Sequence, residues 1–184
     1  AARALFLGGM ISFFVFLTLY LQDALGFSPS RTGLAFLPAM AVNFAAALLV
    51  PRLTARLGNL RLLTAGLTLA VIGMGWLSLA SPGSSFWLSV GLPSVLIGLG
   101  QGFTLSPLTS AGIARVAPQD AGAAAGLVNV SHQLGSALGL GVTTAIAAMG
   151  GAGLTGTALI LHRTHFGLTA ATVMLAAALV LVLR

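Results

Sequence analysis

Six long stretches of the chain carry no Asp, Glu or Lys: residues 4–22, 34–50, 62–80, 86–113, 122–148 and 166–183. About 20 consecutive apolar residues cross the hydrocarbon core of a bilayer. Each stretch therefore predicts a membrane-spanning helix, and together they predict an all-α membrane protein, a six-transmembrane-helix bundle forming one domain over residues 1–184. Composition agrees. The chain is 58% hydrophobic and 5% charged, whereas ordinary soluble domains carry ~25% charged residues. Its charge comes from eight Arg against two Asp, net +6. A nucleic-acid binder gathers such charge on one solvated face; here the arginines stand singly between apolar runs. Membrane lipid is the expected partner, and nucleic acid is not. With no Cys, a disulfide framework or thiolate metal site is excluded. The start, Ala1-Ala2-Arg3, has neither an initiator Met nor a cleavage pattern, so no signal peptide is read and the chain looks cut from something longer.

The breaks between stretches have physical causes. Gly26-Phe27-Ser28-Pro29-Ser30 stops the first and starts the second. Pro51 with Arg52, Arg56 and Arg61 is expected to end the second. Ser81-Pro82-Gly83 makes a tight turn, and Asp120 is placed to N-cap the fifth. Residues 150–165 are Gly-rich and then weakly apolar, which fits either an outer loop or a short interfacial helix. With six spans, Arg3, Arg52, Arg56, Arg61, Arg115 and Arg184 share one side and Arg31 and Arg163 the other. The positive-inside rule then places both termini in the cytoplasm.

The fifth stretch holds Asn129, His132, Gln133, Ser136 and Thr143, which at ~100° per residue fall within an arc of about 100°. Polar groups at that depth normally face a bundle interior or an aqueous cavity. Asn129 or Gln133 alone would read as hydrogen-bonding glue between helices; the whole stripe, with a histidine in it, points to a pathway lining. Beside it, Ser131, Gly135 and Gly139 form a ridge that lets a second helix come close. Asn43 is the strongly polar mid-span group of the second stretch. Ser94, Gln101 and Thr104 lie within about 80° on the fourth, and Pro107 loosens that helix below them. In the first stretch Phe6, Phe13, Phe16 and Tyr20 share a face, which reads as packing or as the apolar wall of a cavity for a lipophilic or cationic solute. The expected substrate pathway is thus Phe13, Phe16, Tyr20, Asn43, Gln101, Thr104, Asn129, His132 and Gln133. His132, the one ionisable side chain deep in a span, is the proton-coupling candidate, because histidine can titrate near neutral pH.

Tyr20-Leu21-Gln22-Asp23-Ala24-Leu25-Gly26-Phe27-Ser28-Pro29, followed by Gly33-Leu34-Ala35-Phe36-Leu37-Pro38, resembles a signature of the drug:proton antiporters with fourteen spans, the EmrB/QacA-type branch of the major facilitator superfamily. Three further segments resemble that family in order: Pro51–Gly58, Gly98–Phe103 with Pro107-Leu108-Thr109, and Ala121–Asn129 with Gln133-Leu134-Gly135. The resemblance implies that these are the last six spans of a longer carrier, its C-terminal half. The missing N-terminal half would be its partner. It also implies alternating access around a mid-membrane site, a small-molecule substrate, a proton gradient as energy source with no cofactor, and a place in the plasma membrane. Arg52, Arg56, Gly58 and Arg61 correspond to the superfamily's gating loop in degenerate form, with Ala55 where its Asp would stand. His132 stands where relatives often carry Arg. A carrier for another small solute is the nearest alternative.

No HExxH, GxSxG or Walker loop is present, and the three histidines are not spaced as a metal site on one helix. The chain does not read as an enzyme. An intramembrane hydrolase using Ser106 or Ser131 with His132 is a poor rival, since adjacent helix positions point apart. A non-transporting receptor or assembly subunit is the other, and polar groups at matched depth in three spans weigh against it.

Overall fold

The computed structural model describes residues 1–113 and 116–184. Its long helices are α1 (Ala2–Leu19), α2 (Pro29–Leu57), α3 (Asn59–Ser78), α4 (Leu92–Ile113), α5 (Ala121–Ala148) and α6 (Gly156–Leu183). A π-helical turn, Tyr20–Ala24, prolongs α1, and another, Trp87–Gly91, leads into α4. The fold is all-α, and five of its helices are long and apolar enough to cross a membrane. The 28-residue α5 has the length but is not among the five; Asn129, His132 and Gln133 interrupt its apolar run.

Local chemistry sets most helix ends. Gly26 takes a positive φ of 68° after the first π turn. Ser28 then caps α2: its hydroxyl accepts from Arg31 N–H at 3.3 Å, and Pro29 occupies the first helical position, where no N–H is needed. Asp120 occupies the N-cap position of α5, as expected, yet its side chain makes no capping bond. The residue enters from the 3-10 turn Pro118–Asp120 with φ −100° and ψ 0°, not the extended backbone from which a cap side chain reaches N2 or N3.

Pro51 does not end α2. The helix runs on to Leu57, so Arg52 and Arg56 sit on helix rather than in a loop. Proline removes one backbone donor, and a membrane helix tolerates the freed carbonyl where neighbours re-satisfy it. The reversal into α3 falls on Gly58 alone, at φ 83° and ψ 157°, a region essentially restricted to glycine. A Cβ there meets open space, so substitution acts through the backbone only. Gly58→Val in the full-length protein is expected to lose about 1–3 kcal/mol, read as a lower thermal midpoint in detergent. An unchanged midpoint would show that the turn relaxes.

Residues 150–165 form neither a long loop nor a separate helix. Residues 149–155 make a short connection, and α6 begins at Gly156. Gly150 and Gly153 take positive φ within it. His162 pins it, with Nε2 2.7 Å from the Met149 carbonyl, and His165 Nδ1 lies 2.9 Å from the carbonyl of Ser78, the last residue of α3.

α1 packs on α5 and α6, as α4 packs on α2 and α3, and α3 and α6 pack on each other. The last three helices thus repeat the arrangement of the first three, with α3 and α6 at the centre and α2 and α5 on the flanks. The flanking pairs close on small residues. A Cβ on Gly98 of α4 would run into the carbonyl oxygen of Ala39, and one on Gly102 would lie 2.7 Å from the Asn43 carbonyl oxygen. A Cβ on Gly139 of α5 would run into the Cα of Gly8, and one on Gly135 would lie 2.7 Å from the Ala4 carbonyl oxygen. The expected ridge of Ser131, Gly135 and Gly139 therefore brings α5 backbone to backbone with α1. One turn further, Ser12 and Thr143 join hydroxyls at 2.8 Å. In lipid, such close approach and interhelical hydrogen bonding replace the hydrophobic drive of a soluble core.

Candidate functional site

α2 and α4 touch through Ala39–Gly98 and Ala46–Gly102. Below these contacts a cavity of about 350 Å³ lies between them, lined by Asn43, Ala47, Gln101, Gly102, Leu105, Ser106 and Thr109. Four of the seven lining residues are polar. Glycine at 98 and 102 brings the helices close enough for Asn43 and Gln101 to share one space. The side-chain carbonyl oxygen of Gln101 is buried without a hydrogen-bond partner. An unpaired buried acceptor costs about 1–3 kcal/mol. Asn43 brings one more acceptor and two donors; Ser106 and Thr109 bring hydroxyls.

The expected lining is only partly assembled here. Thr104 does not join Gln101. It turns toward α3, where a Cβ on Gly66 would lie 2.6 Å from its hydroxyl, and it is fully buried. The two residues bound an arc wide enough that its edges meet different neighbours. The stripe on α5 is split as well. Thr143 is buried against Ser12, His132 and Ser136 are half-buried, and Asn129 and Gln133 are exposed on the outward side of α5. Asn129, His132 and Gln133 are not among the residues lining the α2–α4 cavity. Phe13, Phe16 and Tyr20 are packed into the bundle core, at 0%, 3% and 1% exposed. Phe13 packs edge-on against Phe14 and Phe36, and the Phe16 ring fills the space a Cβ on Gly167 would need. An aromatic stripe cannot tell core from cavity by periodicity, and α1 is enclosed by α5 and α6.

Arg52, Arg56, Gly58 and Arg61 are exposed around the α2–α3 reversal. Asn59 donates from Nδ2 to the Pro107 carbonyl at 3.4 Å, tying the start of α3 to the proline turn of α4. Arg115 lies outside the described residues. Ser106 and Ser131 line different cavities, so they do not converge with His132 on one hydrolytic centre.

Sequence reasoning passed over two residues at this site. Thr109 lies at the foot of the cavity, and its hydroxyl donates to the Leu105 carbonyl at 2.7 Å and accepts from Arg3 Nη1 at 2.6 Å. Arg3 was counted for its charge alone. Its signal in the sequence was its place at the edge of an apolar run, but only packing brings it to Thr109, on a helix more than one hundred residues away.

Residues 1–140 match the family model described as Major Facilitator Superfamily. The chain is 39% identical over 141 residues to the puromycin resistance protein pur8 of Streptomyces alboniger, covering 75% of this chain and 28% of that protein. It is 37% identical over 139 residues to the cephamycin export protein CmcT of Amycolatopsis lactamdurans, covering 75% and 29%. Over 131 residues it is 33% identical to the multidrug resistance protein Stp of Mycobacterium tuberculosis, covering 71% and 24%. The chain spans less than a third of the length of these relatives. Its helices, its repeated three-helix packing and these matches together make it a multi-pass membrane protein that belongs to the Major Facilitator Superfamily of transporters.

Proposed function

We propose that this chain is the C-terminal half of a proton-coupled exporter of lipophilic or cationic drugs, of the branch with fourteen spans. The observation that carries the reading is the cavity between α2 and α4, which Asn43, Gln101, Ser106 and Thr109 line. Relatives named for drug resistance and export support the direction of transport. The four ordered segments from Tyr20 to Gly135 support the branch.

In this reading two six-helix bundles rock about a central cavity, and proton entry drives solute exit. A bundle of this kind forms only one wall, so the N-terminal half completes the pathway. Asn129 and Gln133, exposed on α5, are then available to face that half, with His132 beside them as the proton-coupling candidate. The carrier sits in the plasma membrane with both ends of this segment cytoplasmic, uses the proton gradient with no cofactor, and binds lipid and small solute but no nucleic acid.

The test is transport by the full-length protein in vesicles under an imposed pH gradient, with a panel of lipophilic dyes. Losing one hydrogen bond to the solute in Gln101→Ala is expected to slow movement about three- to tenfold. His132→Gln is expected to flatten the pH dependence. Movement untouched by both changes would place the pathway outside these helices. No gradient-driven movement for any dye would favour a non-transporting membrane subunit.

A further inference from the structure

At the end of the bundle where α1 gives way to α2, four side chains meet. The guanidinium of Arg31 lies over the Phe27 ring, 3.9 Å from its centroid. Phe27 stacks on Phe86 with 6.0 Å between centroids, and Trp87 packs edge-on against Phe86 at 5.8 Å. The Phe27 N–H donates to the Leu21 carbonyl at 2.9 Å, which fixes the loop that carries the ring. Phe27, Arg31, Leu34, Ala35 and Phe86 line a groove of about 310 Å³ between α2 and the approach to α4. A guanidinium is planar, so stacking on a ring occupies its face and leaves its five donors directed sideways in their own plane.

This groove is turned away from the polar cavity. Ala39 and Ala46 mark the seam where α2 meets Gly98 and Gly102 of α4. At ~100° per residue, Phe36, Asn43 and Ala47 lie about 70° to one side of that seam. Phe36 packs on Phe13 and Phe14, so that side faces α1. Arg31, Leu34 and Ala35 centre about 80° to the other side. The seam therefore separates the groove from α1 and from the space lined by Asn43 and Gln101. Sequence sets the depth of the groove. The apolar run of α2 begins at Leu34, and Trp87 is exposed beside Phe86, where an interfacial aromatic belongs. Arg31 thus stands at headgroup level, with Leu34 and Ala35 at the edge of the hydrocarbon.

We propose that this groove holds one anionic phospholipid, its phosphate on the Arg31 fork and an acyl chain along Leu34, Ala35 and Phe86. Arginine binds phosphate through paired N–H groups. A headgroup of net negative charge is preferred to a zwitterionic one, whose own cation offsets the phosphate. The site rests on the membrane placement of these helices and not on the export of any solute.

The test is photo-crosslinking in the full-length protein, with p-benzoylphenylalanine in place of Leu34. The protein is held in discs of equal phosphatidylglycerol and phosphatidylcholine, and the cross-linked lipid is identified by mass spectrometry. Adducts are expected to be enriched in phosphatidylglycerol about fivefold, the scale of one arginine at an anionic surface. The same probe in place of Ile72, exposed in the middle of α3, is expected to show no enrichment. Arg31→Gln is expected to remove the enrichment at position 34 and leave the total of lipid adducts unchanged. Arg31→Lys is expected to keep part of it, since the charge stays and the stacked fork is lost. Should Arg31→Gln fail to fold, Phe27→Leu gives an independent reading: the guanidinium loses the ring that orients it, and the enrichment is expected to weaken with the charge retained. An enrichment no greater at position 34 than at position 72, or one that survives Arg31→Gln, overturns the proposal. Adducts from position 34 to another stretch of the protein would show that a further helix fills the groove, and would overturn it too.

Discussion

Gly98→Leu is expected to force α2 away from α4 and abolish any activity that depends on the cavity between them. The obstacle is backbone. A Cβ at position 98 would overlap the Ala39 carbonyl oxygen and lie 3.1 Å from its carbon and 3.2 Å from its Cα. Side chains can change rotamer to relieve such contacts; a helical carbonyl cannot without moving its helix. Overpacking of this kind typically costs about 1–3 kcal/mol and sometimes more, and even Gly98→Ala introduces the offending atom. Asn43 and Gln101 would then no longer share one space. Because the chain has no native cysteine, a pair introduced at Ala47 and Leu105 reports the separation by its disulfide yield. Gly33→Leu, on α2 and facing open space, is the control and is expected to leave both yield and stability unchanged. Equal yields for Gly98→Leu and the wild type would show that the helices adapt.

Gly139→Leu is the counterpart on the other flank. Here the added Cβ would overlap the Gly8 Cα, with the Gly8 carbonyl carbon at 3.1 Å and the Met174 methyl at 3.2 Å. Met174 is flexible and can give way, but Gly8 is backbone on a helix enclosed by α5 and α6. Separation at this level also pulls apart Ser12 and Thr143 one turn beyond, a bond of the kind worth ~0.6 kcal/mol in a membrane. The expected loss is again about 1–3 kcal/mol or more, read as reduced recovery of folded full-length protein and a lower thermal midpoint. Gly141→Leu, two residues further on with nothing within 4 Å of its Cβ, is expected to be neutral. A shared effect of both changes would mean that added bulk on α5, not its contact with α1, is what matters.

The family was legible because its residues work locally. Gly26 turns the chain, Ser28 and Pro29 start α2, and neither needs a distant partner, so the segment from Tyr20 to Pro38 carries the same meaning in sequence and structure. The ridge of Gly135 and Gly139 was legible for a related reason: small residues four apart on a membrane helix leave little for a neighbour to do but approach. The candidate site was less so. Helical periodicity placed Gln101 and Thr104 on one face and Phe13, Phe16 and Tyr20 on another, and it placed them correctly with respect to their own helices. It could not say which neighbour each face would meet. α3 took Thr104, α5 and α6 enclosed α1, and α2 brought Asn43 to Gln101.

By itself, then, the sequence determined that this chain is a bundle of membrane helices, where most of them turn, and which superfamily it belongs to. These properties follow from apolar run length, turn chemistry and motif order, all of them local. Only the tertiary structure decided that Pro51 leaves α2 unbroken, that residues 156–165 join α6, and that Arg3 reaches Thr109 on α4. Each of these depends on how neighbouring helices satisfy a freed carbonyl, a helix end or a lone charge. Such pairings join groups far apart along the chain, and no spacing within one helix encodes them.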